Sequence, residues 1–242
     1  MKSRAIVLGA SGGIGHAICR ELAADGWSLY LHYNKNANKV IRLCEELSNE
    51  YPENFFEVVH ADFSKSDGAD LLASGTGQIQ AIVVASGHSM LKLLSDTTTE
   101  DMDALWRVHM QNPASFISLV SSRLRSYATS YVLFIGSIWG ETGAAGEVMY
   151  SAVKGAQHAF VKAFAKEASY TGTRVNAITP GWIETDMNGE LSEEDKLEVI
   201  SHIPLQSTGS PEDVANLACF LLSGKADYMT GEIVKLNGGW YI

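Results

Sequence analysis

No run of about 20 apolar residues occurs in this chain, so no apolar segment is long enough to span a membrane as a helix. The longest apolar runs are strand-sized, as in Ala81-Ile82-Val83-Val84-Ala85. The start, Met1-Lys2-Ser3-Arg4, leads into a short apolar run that ends at a glycine and lacks the core of a secretory leader, so a cytoplasmic protein is expected. Cysteine is scarce. Cys19, Cys44 and Cys219 are scattered and odd in number, which excludes a disulfide framework and predicts reduced structural thiols. The 7 histidines are dispersed as well, and no metal site is expected. With only 5 prolines there is no proline-rich linker, and no repeat or low-complexity tract is present. Positive charge is in the minority, 18 Lys and Arg against 28 Asp and Glu. The resulting net charge of −10 excludes non-specific nucleic-acid binding, because phosphates would be repelled.

What is present suits one domain: 242 residues, 46% hydrophobic, are enough for a large core. Short β-rich runs at 5–8, 28–32, 56–60, 81–85, 131–135, 174–178 and 232–236 alternate with amphipathic segments at 14–24, 40–50, 151–169 and 211–222. That alternation predicts an α/β fold, a Rossmann-type doubly wound parallel sheet of about seven strands with helices on both faces, over residues 1–242. Ser210 and Pro211 have the residue types of a helix cap and first turn. Residues 184–209 form a polar, partly helical excursion that reads as a substrate lid.

Two constellations carry chemistry. The first strand runs into Gly9-Ala10-Ser11-Gly12-Gly13-Ile14-Gly15 and then a helix, where a dinucleotide pyrophosphate meets free backbone N–H groups. Its Gly-x-x-x-Gly-x-Gly spacing matches the usual dinucleotide fingerprint only in part. The second is Tyr150 with Lys154, four apart on one helix face, and Ser137 upstream. A phenol serving as an acid at neutral pH needs about 4 kcal/mol of phenolate stabilisation. A lysine about 4.5 Å away at an effective dielectric of about 20 supplies roughly 3.7 kcal/mol.

The glycine spacing, Ser137 with Tyr150 and Lys154, the segment Asn176 to Gly181, and the ending Thr230-Gly231 to Asn237-Gly238-Gly239 together resemble the short-chain dehydrogenase/reductase family, across essentially the whole chain. That resemblance implies a nicotinamide-dependent oxidoreductase acting on a carbonyl or alcohol. Tyr150 would be its general acid. Lys154 would bind the nicotinamide ribose and lower the tyrosine pKa, and Ser137 would orient the ketone substrate. It further implies cofactor contacts from Gly9, Ser11, Gly12, Gly13, Ile14 and Gly15, from Tyr33, Asn34 and Lys35, and from Asp62 and Phe63 at the adenine. Ala85, Ser86 and Gly87, with Pro180, Gly181, Ile183 and Thr185 over the nicotinamide, complete the set. A homotetramer, built partly by the long helices after His109 and Tyr150, is implied too.

Two departures stand out. The family's Asn-Asn-Ala-Gly after strand four reads Val84-Ala85-Ser86-Gly87 here, and His109 occupies the place of the family's fourth catalytic residue, an asparagine. His109 is therefore a candidate relay behind Lys154, with a structural histidine as the alternative. Strand two ends in Tyr33-Asn34-Lys35 without the acidic residue of NAD-specific members, and Lys35 or Lys39 can neutralise a 2′-phosphate; NADP(H) is expected.

Two branches compete for the substrate. The segments PGWIETDM and TGEIVKLNGGW resemble the 3-oxoacyl-[acyl-carrier-protein] reductases. That branch's basic docking positions, however, align with Ala128 and Thr171, although Arg123, Arg125 and Arg174 lie near in sequence. The stretch SIWGETGAAGEVMYSAVKGAQHAFVKAFAKE, with LHYN and His109, is closer to the elongation factor P 5-aminopentanone reductases, which reduce a ketone on a modified lysine. Trp139, Trp182 and Met187 are candidate cleft residues, and Glu141 or Glu184 candidate partners for an amine-bearing substrate arm. A non-catalytic NADP-binding sensor or scaffold is the remaining alternative.

Overall fold

The computed structural model describes residues 3–185 and 192–242, and in it seven strands form one parallel sheet. They are β1 (Arg4–Leu8), β2 (Ser28–Tyr33), β3 (Phe56–His60), β4 (Ala81–Val84), β5 (Ser130–Ile135), β6 (Thr173–Pro180) and β7 (Ile233–Leu236). Their order is β3-β2-β1-β4-β5-β6-β7. All pairings are parallel, and the chain reverses its direction of travel between β1 and β4, the switch point where such sheets open a crevice.

The helices are α1 (Gly13–Ala24), α2 (Ala37–Glu50), α3 (Gly68–Ser74), α4 (Thr99–Trp106), α5 (Asn112–Leu124), α6 (Trp139–Thr142), α7 (Val148–Ala168), α8 (Glu193–Ser201) and α9 (Pro211–Leu222). Because successive side chains alternate across a strand, Ala5 and Val7 enter the core shared with α1, α2 and α9, while Ile6 and Leu8 enter that shared with α3, α5 and α7. Both faces are covered. That is why the central strands read as unbroken apolar runs rather than alternating ones. Ser210 caps α9 in a capping box with Asp213, and Pro211 occupies its first turn.

One element was hidden in the sequence. Between α4 and α5 the backbone widens into a π-turn, Arg107–Gln111, which sets His109 inward. The excursion at 184–209 is closed at its neck by the Ile183–Gly209 bridge, with Glu184 N–H donating to Gly209 O at 2.9 Å and Gly209 N–H to Trp182 O at 2.9 Å. Met187 and the rest of 186–191 lie outside the described residues.

Candidate active site

The candidate cofactor residues gather along one edge because parallel strands all end there. Gly9 follows β1, Asn34 follows β2, Asp62 lies beyond β3, and Ala85 to Gly87 follow β4. Gly9 has φ +89°, and a Cβ on it would lie 2.8 Å from the Ser86 backbone; a Cβ on Gly15 would lie 2.2 Å from the Gly9 carbonyl oxygen. Only glycines let the strand end and α1 approach so closely. Gly12 caps α1 with no side chain on its first N–H groups, and Gly13 lies beside Thr185, so the turn is a cradle of backbone donors that fits a diphosphate. Ile14 packs partly against the core beneath it.

At the adenosine end, the Asp62 carboxylate accepts from Asn34 Nδ2 at 3.0 Å and from the Ser64 N–H at 2.9 Å and hydroxyl at 2.7 Å. Burial works to raise its pKa, but these hydrogen bonds and Lys65 outweigh burial and hold it below the usual carboxylate range. Phe63 is buried and stacks on His32 at 4.9 Å, and the Tyr33 ring lies 5.1 Å from that of His60. Lys35 is exposed and its charge reaches His88, whose pKa is lowered by burial and then by Lys35.

Ser137, Tyr150 and Lys154 meet where β5 ends and α7 begins. The Ser137 hydroxyl accepts the Trp139 N–H at 3.2 Å and lies near enough to the Tyr150 phenol to lower its pKa. Lys154 Nζ donates to the Ile135 carbonyl at 2.8 Å and sits 5.6 Å from the centre of the Tyr150 ring. Spacing predicts that Lys154 lowers the phenol pKa, while the net direction at Tyr150 is upward. Burial raises Tyr150 above the ordinary phenol range, Glu147 raises it further, and only Ser137 opposes them. Burial also pulls Lys154 down to about 7, which leaves its amine only partly charged near neutrality. A hydroxyl pair with a proton to give, beside a lysine, can hold and protonate a carbonyl oxygen.

The family model described as Enoyl-(Acyl carrier protein) reductase matches residues 9–241. The chain belongs to the short-chain dehydrogenase/reductase family. It is 42% identical to the uncharacterized oxidoreductase YmfI of Bacillus subtilis (strain 168), over all of both chains. It is 30% identical to the 3-oxoacyl-[acyl-carrier-protein] reductase FabG of Staphylococcus epidermidis, again over 100% of each. Among solved structures it superposes with TM-score 0.93 on a blue fluorescent protein from a metagenomic library in complex with NADPH, at 26% identity, covering 99% of this chain and 98% of that one. As a member of this family it is an oxidoreductase dependent on a nicotinamide dinucleotide.

Against the family pattern, His109 is almost wholly buried at 1% exposure, and its ring meets that of Tyr150 edge-on at 5.6 Å. Its Nε2 lies 3.0 Å from the His88 carbonyl oxygen, and its Nδ1 has no partner among the described residues. Burial, then the nearby Lys154, holds its pKa well below the ordinary value, so the ring is neutral. No hydrogen bond joins it to Lys154 among the described residues; its backbone carbonyl instead accepts Gln157 Nε2 at 2.8 Å. The ring also fills the space beside Gly87, where a Cβ would meet it at 2.3 Å.

The departure after β4 has a counterpart in His32, whose only mark in the sequence is its place in LHYN. Its Nδ1 accepts the Gly9 N–H at 3.2 Å, which leaves Nε2 to donate to the Ala61 carbonyl at 3.0 Å, so one buried ring ties the ends of β1 and β3. The family's asparagine motif is replaced by Val84-Ala85-Ser86-Gly87, in which the buried Ser86 hydroxyl has no partner among the described residues. The available signal was a histidine in an otherwise apolar central strand. Burial lowers its pKa to about 4, so the folded state holds it neutral. That stabilisation is complete above the ordinary pKa near 6.5 and is lost as pH falls towards 4, a window worth about 3 kcal/mol. We expect urea unfolding to show His32→Asn less stable than the parent at neutral pH, with a shallower loss of stability between pH 6.5 and 4; equal slopes would contradict the role.

The cysteines are free, and burial raises the pKa of each, to about 12 for Cys219, consistent with inert structural thiols. Among the described residues no group of His, Cys, Asp and Glu is placed to hold a metal ion, and no helix is long and apolar enough to cross a membrane.

Proposed function

We propose that this enzyme is an NADPH-dependent carbonyl reductase that converts a ketone to a secondary alcohol, its substrate being the 5-aminopentanone on a modified lysine of elongation factor P. The observation that carries carbonyl reduction is the Ser137–Tyr150 hydroxyl pair at the end of β5, with Lys154 behind it. In this reading Ser137 holds the carbonyl oxygen, and Tyr150 gives its phenolic proton to that oxygen as negative charge develops. Lys154 then stabilises the phenolate and holds the ribose, while His109 packs Tyr150 in place. The bound nicotinamide supplies the hydride. Gly9 and Ser11 to Gly15 cradle the pyrophosphate, Asp62 and Phe63 line the adenine, and Pro180, Gly181, Ile183 and Thr185 border the nicotinamide. NADPH is favoured because Tyr33-Asn34-Lys35 sets no carboxylate against a 2′-phosphate, Lys35 is exposed there, and a structural neighbour was solved with NADPH. Residues 192–209, held at their neck by the Ile183–Gly209 bridge, would border the substrate side.

The choice of carrier is supported by the resemblance of the Ser137–Glu167 stretch and by charge. An acidic acyl-carrier protein needs a basic landing surface, yet Arg123 is spent on the carbonyls of Ala73, Thr76 and Gly77, and Arg174 on that of Asp227. Reduction of 3-oxoacyl-[acyl-carrier-protein] remains the second reading, favoured by the relatives of that name. Half-exposed Trp106, Leu119 and Val148 on α4, α5 and α7 support a homotetramer, and a translation factor as substrate places the enzyme in the cytoplasm. Purified enzyme is expected to oxidise NADPH with ketone-modified elongation factor P and much more slowly with 3-oxoacyl thioester; the reverse ranking overturns the assignment.

A further inference from the structure

We propose that Glu147 is the specificity-determining residue of the cleft, a carboxylate that receives a positively charged group of the ketone substrate and selects cationic ketones over uncharged ones. The inference rests on Tyr150 reducing a ketone, and not on the identity of the carrier.

Glu147 immediately precedes α7 and lies three residues before Tyr150, a spacing that sets the two side chains on one side of the helix start. It occupies the capping position, yet its carboxylate makes no capping hydrogen bond. It is only partly exposed, and among the described residues no hydrogen bond or ion pair reaches its carboxylate. The turn that carries it is fixed, because the Gly146 carbonyl accepts the Lys92 N–H at 2.6 Å and the Leu91 side chain lies over Gly146. The cation of that loop is committed elsewhere, since Lys92 Nζ is paired with Asp101.

The carboxylates of Glu141 and Glu184 are engaged elsewhere. Glu141 is 3.2 Å from Lys235 and accepts from the Thr179 hydroxyl, and Glu184 accepts from Thr208 at 2.9 Å. Burial raises the pKa of Glu147, as expected of a carboxylate drawn out of water without a partner, and its charge opposes ionisation of the Tyr150 phenol. An unpaired carboxylate beside the proton donor therefore hinders the chemistry until a cation arrives with the substrate. An ammonium group on the ketone satisfies Glu147 and removes the field that opposes the phenolate, so the correct substrate improves its own proton donor.

The test uses NADPH and two small ketones of matched shape, a methyl ketone carrying a trimethylammonium group three carbons from the carbonyl and its uncharged tert-butyl isostere. The parent is expected to favour the cationic ketone by about tenfold in kcat/KM. Glu147→Gln should bring that ratio close to one and raise turnover of the uncharged ketone by about two- to fivefold, since the phenolate no longer faces a carboxylate. Glu147→Asp should restore part of the preference, which a merely structural role would not do. Reduction of both ketones by the parent with no preference, or retention of the preference in Glu147→Gln, overturns the role of Glu147 while leaving ketone reduction intact. A thioester outranking modified elongation factor P, by contrast, overturns the carrier and leaves the preference standing.

Discussion

Tyr150→Phe is expected to lower ketone reduction by about three orders of magnitude while leaving NADPH affinity within about twofold of the parent. The substitution keeps the ring, so the edge-on contact with His109 and the packing beside Lys154 persist, and only the hydroxyl is lost. Ser137 still accepts the Trp139 N–H and can still meet a carbonyl oxygen, but no group remains at that position to give a proton. The loss should therefore appear in kcat more than in KM. Steady-state NADPH oxidation, with nucleotide affinity measured separately by fluorescence titration, checks both halves. If Tyr150→Phe retains parental turnover, Tyr150 is not the proton donor.

Gly15→Ala is expected to cost about 3 kcal/mol or more of stability and to weaken NADPH binding by at least about a hundredfold. The added carbon would sit 2.2 Å from the Gly9 carbonyl oxygen, a backbone atom, so no side-chain rotation relieves the clash. Either α1 moves away from the end of β1 or the turn opens, and both displace the N–H groups that fit a diphosphate. Gly26→Ala is the control: that glycine has φ +84° with nothing within 4 Å of a Cβ, so only backbone strain is felt and NADPH affinity should be preserved. Thermal unfolding and nucleotide titration separate the two variants.

The strands and the glycine turn were legible in the sequence because their cause is local. A parallel strand buried on both faces reads as an apolar run, and the close approach of Gly15 to Gly9 admits no other residue type. The convergence of Ser137, Tyr150 and Lys154 was legible from helix spacing and family resemblance together. The direction of the Tyr150 pKa was not, because it depends on burial, and burial is set by what packs around the phenol rather than by the four-residue spacing to Lys154. His32 and Glu147 were missed for the same reason. One is a ring that gains meaning only when β1 and β3 flank β2, the other a carboxylate that gains meaning only when Glu141 and Glu184 prove engaged. The π-turn at Arg107–Gln111 leaves no clear mark in composition, and it carries the His109 ring that meets Tyr150.

Carbonyl reduction at this site is tested most directly by following the transferred hydrogen. Enzyme given NADPH deuterated at the transferring position, together with a ketone substrate, should yield the secondary alcohol with one deuterium on the carbinol carbon by mass spectrometry. Tyr150→Phe should yield almost none in the same interval. Absence of labelled alcohol from the parent, or equal labelled yields from the parent and Tyr150→Phe, would contradict carbonyl reduction by Ser137, Tyr150 and Lys154.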